Sequence, residues 1–220
     1  MKILLDTADL RTIAAINEKI GIYGVTTNPS ILAKEGKNPI SVLKLIKNII
    51  GSKMLHVQLN EDCCEGMIKE AKNLVEELGE DIYIKIPVTA EGLCAMRNLK
   101  KLNYNITATA VFTPLQALLA ANEGVDFVAP YINRIDKAGG SGKKAVEDMI
   151  SIFRQNNIKT QILGASFSST DQILECALAG MHACTIKGEL LNDMIYHPLT
   201  DSAIEQFKKD WDELKISLND

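Results

Sequence analysis

Short β-rich runs alternate with longer amphipathic stretches along the whole chain, and this alternation limits the fold more than any other feature. The runs lie at 3–6, 23–26, 55–59, 82–86, 105–110, 127–130, 161–166 and 183–187. Between them, apolar residues recur at helical spacing: Ile13 and Ile16 within 8–19, and Met67, Ala71, Leu74, Val75 and Leu78 within 67–78. Thr89, followed by Ala90 and Glu91, reads as a helix N-cap. A strand that must pair with the next strand after an intervening helix makes a parallel sheet with right-handed crossovers.

An open doubly wound sheet and a closed barrel both satisfy that pattern. Eight units recurring about every 26 residues favour the (β/α)8 TIM barrel, although the chain is shorter than the ~250 residues typical of that fold. Pro/Ser linkers and low-complexity tracts are missing, so residues 1–220 read as one domain that includes a C-terminal helix over about 200–217. The two longest units carry extra residues at 29–37 and 137–143.

Composition narrows the function. The chain is 46% hydrophobic, enough for a globular core, and its net charge of −4 lacks the basic surplus of a nucleic-acid binder. Its longest apolar runs fall far short of the ~20 residues of a membrane span. Three apolar residues between Lys2 and Asp6 are too few for a signal-peptide core. A cytoplasmic protein that binds neither membrane nor nucleic acid is expected. Cys63, Cys64, Cys94, Cys176 and Cys184 are odd in number and lack CxxC spacing, which argues against a disulfide framework or zinc site. A vicinal Cys63–Cys64 bridge is the minor alternative. His56, His182 and His197 have no paired ligand spacing, so no metal is expected.

In a barrel, chemistry sits where strands end and loops begin. Those ends carry Asp6, Thr26 and Asn28, Gln58, Lys85, Thr109, Tyr131, Ser166 and Lys187. Lys85, between Ile84 and Ile86, is the most informative, because lysine is rarely buried without a partner or a task. Desolvation lowers an ammonium pKa, and the neutral amine is suited to Schiff-base formation with a carbonyl. The plainer reading is a structural Lys85–Asp6 ion pair. Asp6 can shuttle the protons of imine formation, while Tyr131, through a water held by Gln58 and Thr109, can take a proton from a scissile hydroxyl. Arg134 suits a phosphate, as does a helix starting near Ser169, beyond Ser166 and Ser168. The Gly-Gly-Ser-Gly run at 139–142 lacks P-loop spacing and reads as a turn before a helix.

Four strings carry a resemblance: Gly24-Val25-Thr26-Thr27-Asn28-Pro29-Ser30, Lys85-Ile86-Pro87-Val88-Thr89, the segment from Ala129 to Asp136, and Ala165-Ser166-Phe167. In this order they make the chain similar to the small transaldolase family, nearest its fructose-6-phosphate aldolases, from Leu5 to Trp211. The resemblance implies that Lys85 forms the imine with a ketose or dihydroxyacetone. It implies that Asp6 assists, that Thr26, Asn28 and Ser166 line the ketone end, and that Gln58, Thr109 and Tyr131 handle the catalytic water and proton. Arg134 would face the phosphate. The resemblance implies neither a metal nor an organic cofactor. Many relatives have Lys or Arg where this chain has Ser168, so part of the expected phosphate charge is missing. Transaldolases of the family resemble one another in having Glu and Phe at the positions of Gln58 and Tyr131.

The resemblance therefore favours an aldolase that cleaves the C3–C4 bond of fructose 6-phosphate. The alternatives are a transaldolase that moves a dihydroxyacetone unit between sugar phosphates in the pentose phosphate pathway, and a non-catalytic sugar-phosphate-binding barrel. Ile204, Phe207, Trp211 and Leu214 form one apolar helical stripe. It would either cover its own barrel or, as in relatives that swap this helix between subunits, imply a homo-oligomer, a decamer or pentamer.

Overall fold

The computed structural model describes residues 1–217. Eight parallel strands close into a barrel in chain order: β1 (Lys2–Asp6), β2 (Gly24–Thr26), β3 (Met54–Gln58), β4 (Tyr83–Pro87), β5 (Asn105–Val111), β6 (Phe127–Pro130), β7 (Gln161–Gly164) and β8 (Ala183–Ile186). β8 returns to β1, with Leu4 opposite Thr185. The helices are α1 (Leu10–Lys19), α2 (Pro29–Lys34), α3 (Pro39–Ile50), α4 (Cys64–Leu78), α5 (Ala90–Lys100), α6 (Pro114–Asn122), α7 (Ile132–Lys137), α8 (Gly142–Gln155), α9 (Thr170–Leu178), α10 (Gly188–Ile195) and α11 (Pro198–Ser217). The expected barrel is the one observed. The strand boundaries move by one or two residues, most at β7, which stops at Gly164 rather than 166. The extra residues at 29–37 form the added short helix α2 and the turn after it, and those at 137–143 run from the end of a second short helix, α7, through a turn into the start of α8.

Side-chain oxygens start many of these helices. Asp9, Asn28, Asn38, Thr89, Ser141 and Ser169 each accept from a backbone N–H of the first turn, and Thr113 forms a reciprocal capping box with Gln116. Such a cap typically stabilises its helix by ~1 kcal/mol and marks where each strand-to-helix loop ends.

Alternation along the strands divides the interior in two. Leu5, Val25, Leu55, Ile84, Ile106, Val128, Ile162 and Ile186 face outward into the core shared with the helices, which contribute Ile13, Ile46, Met67, Leu99 and Met149. Leu4, Phe127, Leu163 and Ala183 form a separate cluster inside the barrel, joined by Met54 and Tyr83. Gly24 is required there: a Cβ would collide with the carbonyl of Met54 on the neighbouring strand. The barrel is thus plugged at its lower end and polar at its upper end.

One expectation is overturned. Cys64 and Cys94 form a disulfide, with Cα atoms 5.8 Å apart across 30 residues of sequence. The barrel lays α4 beside α5, an adjacency that CxxC spacing cannot reveal. Cys176 and Cys184 are free and buried, and burial pushes both thiols up to about 12. No described helix is long and apolar enough to cross a membrane.

Candidate active site

Lys85 sits in the middle of β4 with its side chain inside the barrel, 5% exposed. Its Nζ donates to the carbonyl oxygen of Thr27 at 2.8 Å. Burial lowers its pKa from 10.5 to about 8, against the opposing pull of the Asp6 carboxylate. A usable fraction of neutral amine is therefore present near neutrality, which a solvated lysine lacks. Neither Lys85 nor Asp6 makes a direct ion pair with the other among the described residues, so the purely structural reading loses its main support.

Asp6 ends β1 and is held by its neighbours. Thr26 Oγ1 donates to Asp6 Oδ1 at 2.7 Å. With that proton committed, the 2.7 Å contact between Thr26 and Thr185 has Thr185 as donor. A relay of two buried hydroxyls thus fixes the carboxylate from below. Asn28 uses its Oδ1 to cap α2, accepting from the Ile31 N–H at 2.9 Å, which leaves its amide N–H groups for another partner.

On the opposite wall, Thr109 Oγ1 and Tyr131 Oη are 3.0 Å apart. Tyr131 packs edge-on against Phe112, and the Arg134 guanidinium lies 4.9 Å from its ring centroid. Gln58 is level with Lys85 in the β3–β4 register, and its buried Oε1 has no hydrogen-bond partner. An unsatisfied buried acceptor costs ~1–3 kcal/mol, so it marks a place for a bound donor, either water or a substrate hydroxyl.

Below Lys85 the interior is aromatic. His56 is fully buried, with Nδ1 2.9 Å from Thr107 Oγ1, its ring stacked on Tyr83 at 4.6 Å and set edgewise to Phe127. Burial, and then the Lys85 charge, hold its pKa well below the ordinary histidine value, so it is a neutral floor to the site.

Two adjoining cavities open at this end. One, of about 470 Å³, is lined by Lys85, Asp6, Thr26, Thr109, Ser166 and Ser168. The other, of about 800 Å³, holds Gln58, Ser30 and Lys34. Asp6, Asn28, Tyr131, Arg134 and Lys187 line both. All ten residues singled out as site candidates therefore border one continuous mouth, with a buried amine between a carboxylate and a phenol. The Ser168 hydroxyl is already engaged, donating to Asn133 Oδ1 at 2.9 Å and lying 3.2 Å from Gln172 Oε1.

A profile described as transaldolase/fructose-6-phosphate aldolase matches residues 3–218. The chain belongs to that family. It is 42% identical over 212 residues to a probable transaldolase of Clostridium botulinum (strain Eklund 17B / Type B), covering 96% of this chain and 98% of the relative. It is also 42% identical over 211 residues to one from Thermoanaerobacter sp. (strain X514), with 96% and 97% covered. A third, from Clostridioides difficile (strain 630), is 38% identical over 218 residues, with 99% and 100% covered. As a member of the transaldolase/fructose-6-phosphate aldolase family, the protein is an enzyme of the aldolase/transaldolase type, and the family implies sugar-phosphate substrates.

Three contributors to this family member's site were not identified from sequence. Thr27 acts through its carbonyl, for which side-chain chemistry gives no signal. Thr185 was detectable as the inward polar residue of the Ala183–Ile186 strand. Asn133 lies inside a helix, where strand-end reasoning does not look.

Proposed function

We propose that the protein is a class I aldolase that cleaves and forms the C3–C4 bond of fructose 6-phosphate, releasing dihydroxyacetone and glyceraldehyde 3-phosphate. The observation that carries this is the Lys85 amine, buried, lowered to about 8 and set between Asp6 and the Thr109–Tyr131 pair. Neutral Lys85 attacks the C2 carbonyl carbon to give a carbinolamine. Asp6 relays the two amine protons in turn to the former carbonyl oxygen, which leaves as water, and the imine, protonated from solvent, remains as the electron sink. Tyr131, through a water shared with Thr109 and Gln58, takes the proton of the C4 hydroxyl. The C3–C4 electron pair moves into the imine to form an enamine, and glyceraldehyde 3-phosphate departs. Return of a proton to C3, followed by hydrolysis of the imine, frees dihydroxyacetone.

Release and transfer compete at the enamine. Tyr131 is a phenol able to donate a proton and Gln58 is a neutral amide, which supports protonation and release. The names of the relatives favour the second reading, a transaldolase in which the enamine waits for an aldose phosphate acceptor. The test is fructose 6-phosphate with and without erythrose 4-phosphate. Free dihydroxyacetone without acceptor is expected, reduced at least tenfold in Tyr131→Phe. Formation of sedoheptulose 7-phosphate with no free dihydroxyacetone replaces the aldolase reading with transaldolase. Borohydride with dihydroxyacetone should fix an adduct on Lys85; an adduct elsewhere, or none, removes both.

A further inference from the structure

The geometry points to Lys187 as the residue that, with Arg134, selects the phosphate end of the substrate, in place of the charge that Ser168 does not supply. This inference rests on the sugar-phosphate reading of the site and names a further specificity-determining residue within it.

Arg134 lies on α7, the short helix after β6, while Ser168 and Lys187 lie in the segments after β7 and β8; the three strands are adjacent in the barrel. Loops after the seventh and eighth strands are where barrels of this kind commonly hold phosphate. The middle loop is the weak one: Ser168 is uncharged and its hydroxyl is committed to Asn133 and Gln172. A phosphate monoester carries about −1.5 to −2 charges at neutral pH, so a lone guanidinium does not balance it.

Lys187 follows the last residue of β8 directly, and Thr185, two positions earlier, lines the Lys85 cavity. The Lys187 side chain is exposed and, among the described residues, makes no hydrogen bond or ion pair; the same holds for Arg134, whose only contact of this kind is with the Tyr131 ring. Both therefore face the mouth without a protein partner for their charge. The balance of charge says which cavity the anion takes. The wider cavity offsets its cations with Asp6, Asp9, Glu35 and Glu189. The Lys85 cavity has Lys85, Arg134, Lys137 and Lys187 against Asp6 alone. An anion is favoured in the second. Lys187 is preferred over Lys137 because it borders both cavities, whereas Lys137 borders one. Lysine acts here as a point charge, beside an arginine that gives the directional hydrogen bonds.

The test is equilibrium binding of glucitol 6-phosphate and of glucitol, measured by calorimetry. Neither has a carbonyl, so neither depends on imine chemistry. Lys187→Ala should weaken glucitol 6-phosphate by roughly ten- to a hundred-fold, the range for a hydrogen bond to a charged group. The ratio of the two affinities should fall by the same factor, the loss should shrink at high salt, and Lys187→Arg should restore most of it. Less than a threefold change in that ratio overturns the inference, as does a larger loss from Lys137→Ala than from Lys187→Ala. Unaltered thermal midpoints exclude a folding defect. A Lys187 effect without any borohydride adduct on Lys85 sinks the catalytic reading alone. An adduct on Lys85 with phosphate binding indifferent to Lys187 sinks this inference alone.

Discussion

Burying the Lys85 amine costs the fold stability. Its pKa is about 8 in the barrel and 10.5 when solvated, so between those values the unfolded chain holds a proton that the folded chain has released. Stability from this group therefore rises with pH across that window, and below about 8 the full penalty is present, on the order of 3 kcal/mol. Lys85→Met, similar in length and apolar, should raise the thermal midpoint at pH 7, and its advantage should shrink towards pH 10. A variant no more stable than the parent at pH 7 would mean that the hydrogen bond to Thr27 offsets the burial. The amine must be neutral to react, so borohydride trapping should accelerate as pH rises through about 8. Removing the carboxylate in Asp6→Asn should move that limb to lower pH, because Asp6 raises the Lys85 pKa. Lys85 is legible in the sequence because a lysine flanked by isoleucines in a strand is an anomaly. The partner of its amine is not, because it is a carbonyl of the main chain.

At the scale of elements, β5 departs from regular pairing where the site needs it. Opposite β6, Ala108 pairs with Val128 and Val111 with Pro130, so β5 has one residue too many between these pairs. Ala110 takes up the excess at φ +54°, a left-handed conformation uncommon for residues other than glycine. Such a bulge bends its strand and redirects a side chain, and here the neighbouring Thr109 hydroxyl meets Tyr131 Oη. Ala110→Val should cost roughly 1–3 kcal/mol, because a β-branched residue is poorly accommodated there, while Ala110→Gly should keep stability and dihydroxyacetone release. Equal tolerance of both changes, measured by thermal unfolding, would remove the bulge from the argument. The eight strands are readable from composition because their outward faces are continuously apolar. The bulge is not readable, since one added residue leaves hydrophobic spacing almost untouched. The Cys64–Cys94 pairing is hidden for a related reason: it depends on which helices become neighbours once the barrel closes.

For the whole molecule, α11 is the outlier. None of its described residues is buried, and Phe207 and Trp211 are 67% and 57% exposed. The apolar stripe read from the sequence is therefore present, but it does not cover its own barrel. A row of large apolar side chains open to water is the surface expected of an element that docks on another copy. The protein should sediment as an oligomer, and Phe207→Glu with Trp211→Glu should release monomers that keep the borohydride-reactive Lys85. A parent protein that sediments as a monomer would refute this.

Trp211 is the chain's single tryptophan, and it stands on this outlying helix. The indole emission of the entire protein is thus the emission of one surface position, and the mouth around Lys85 contributes none of it. Dilution that uncovers the helix should shift the spectrum to the red, whereas filling the sugar site should leave it nearly still. A cuvette and a concentration series are then enough to follow assembly independently of catalysis.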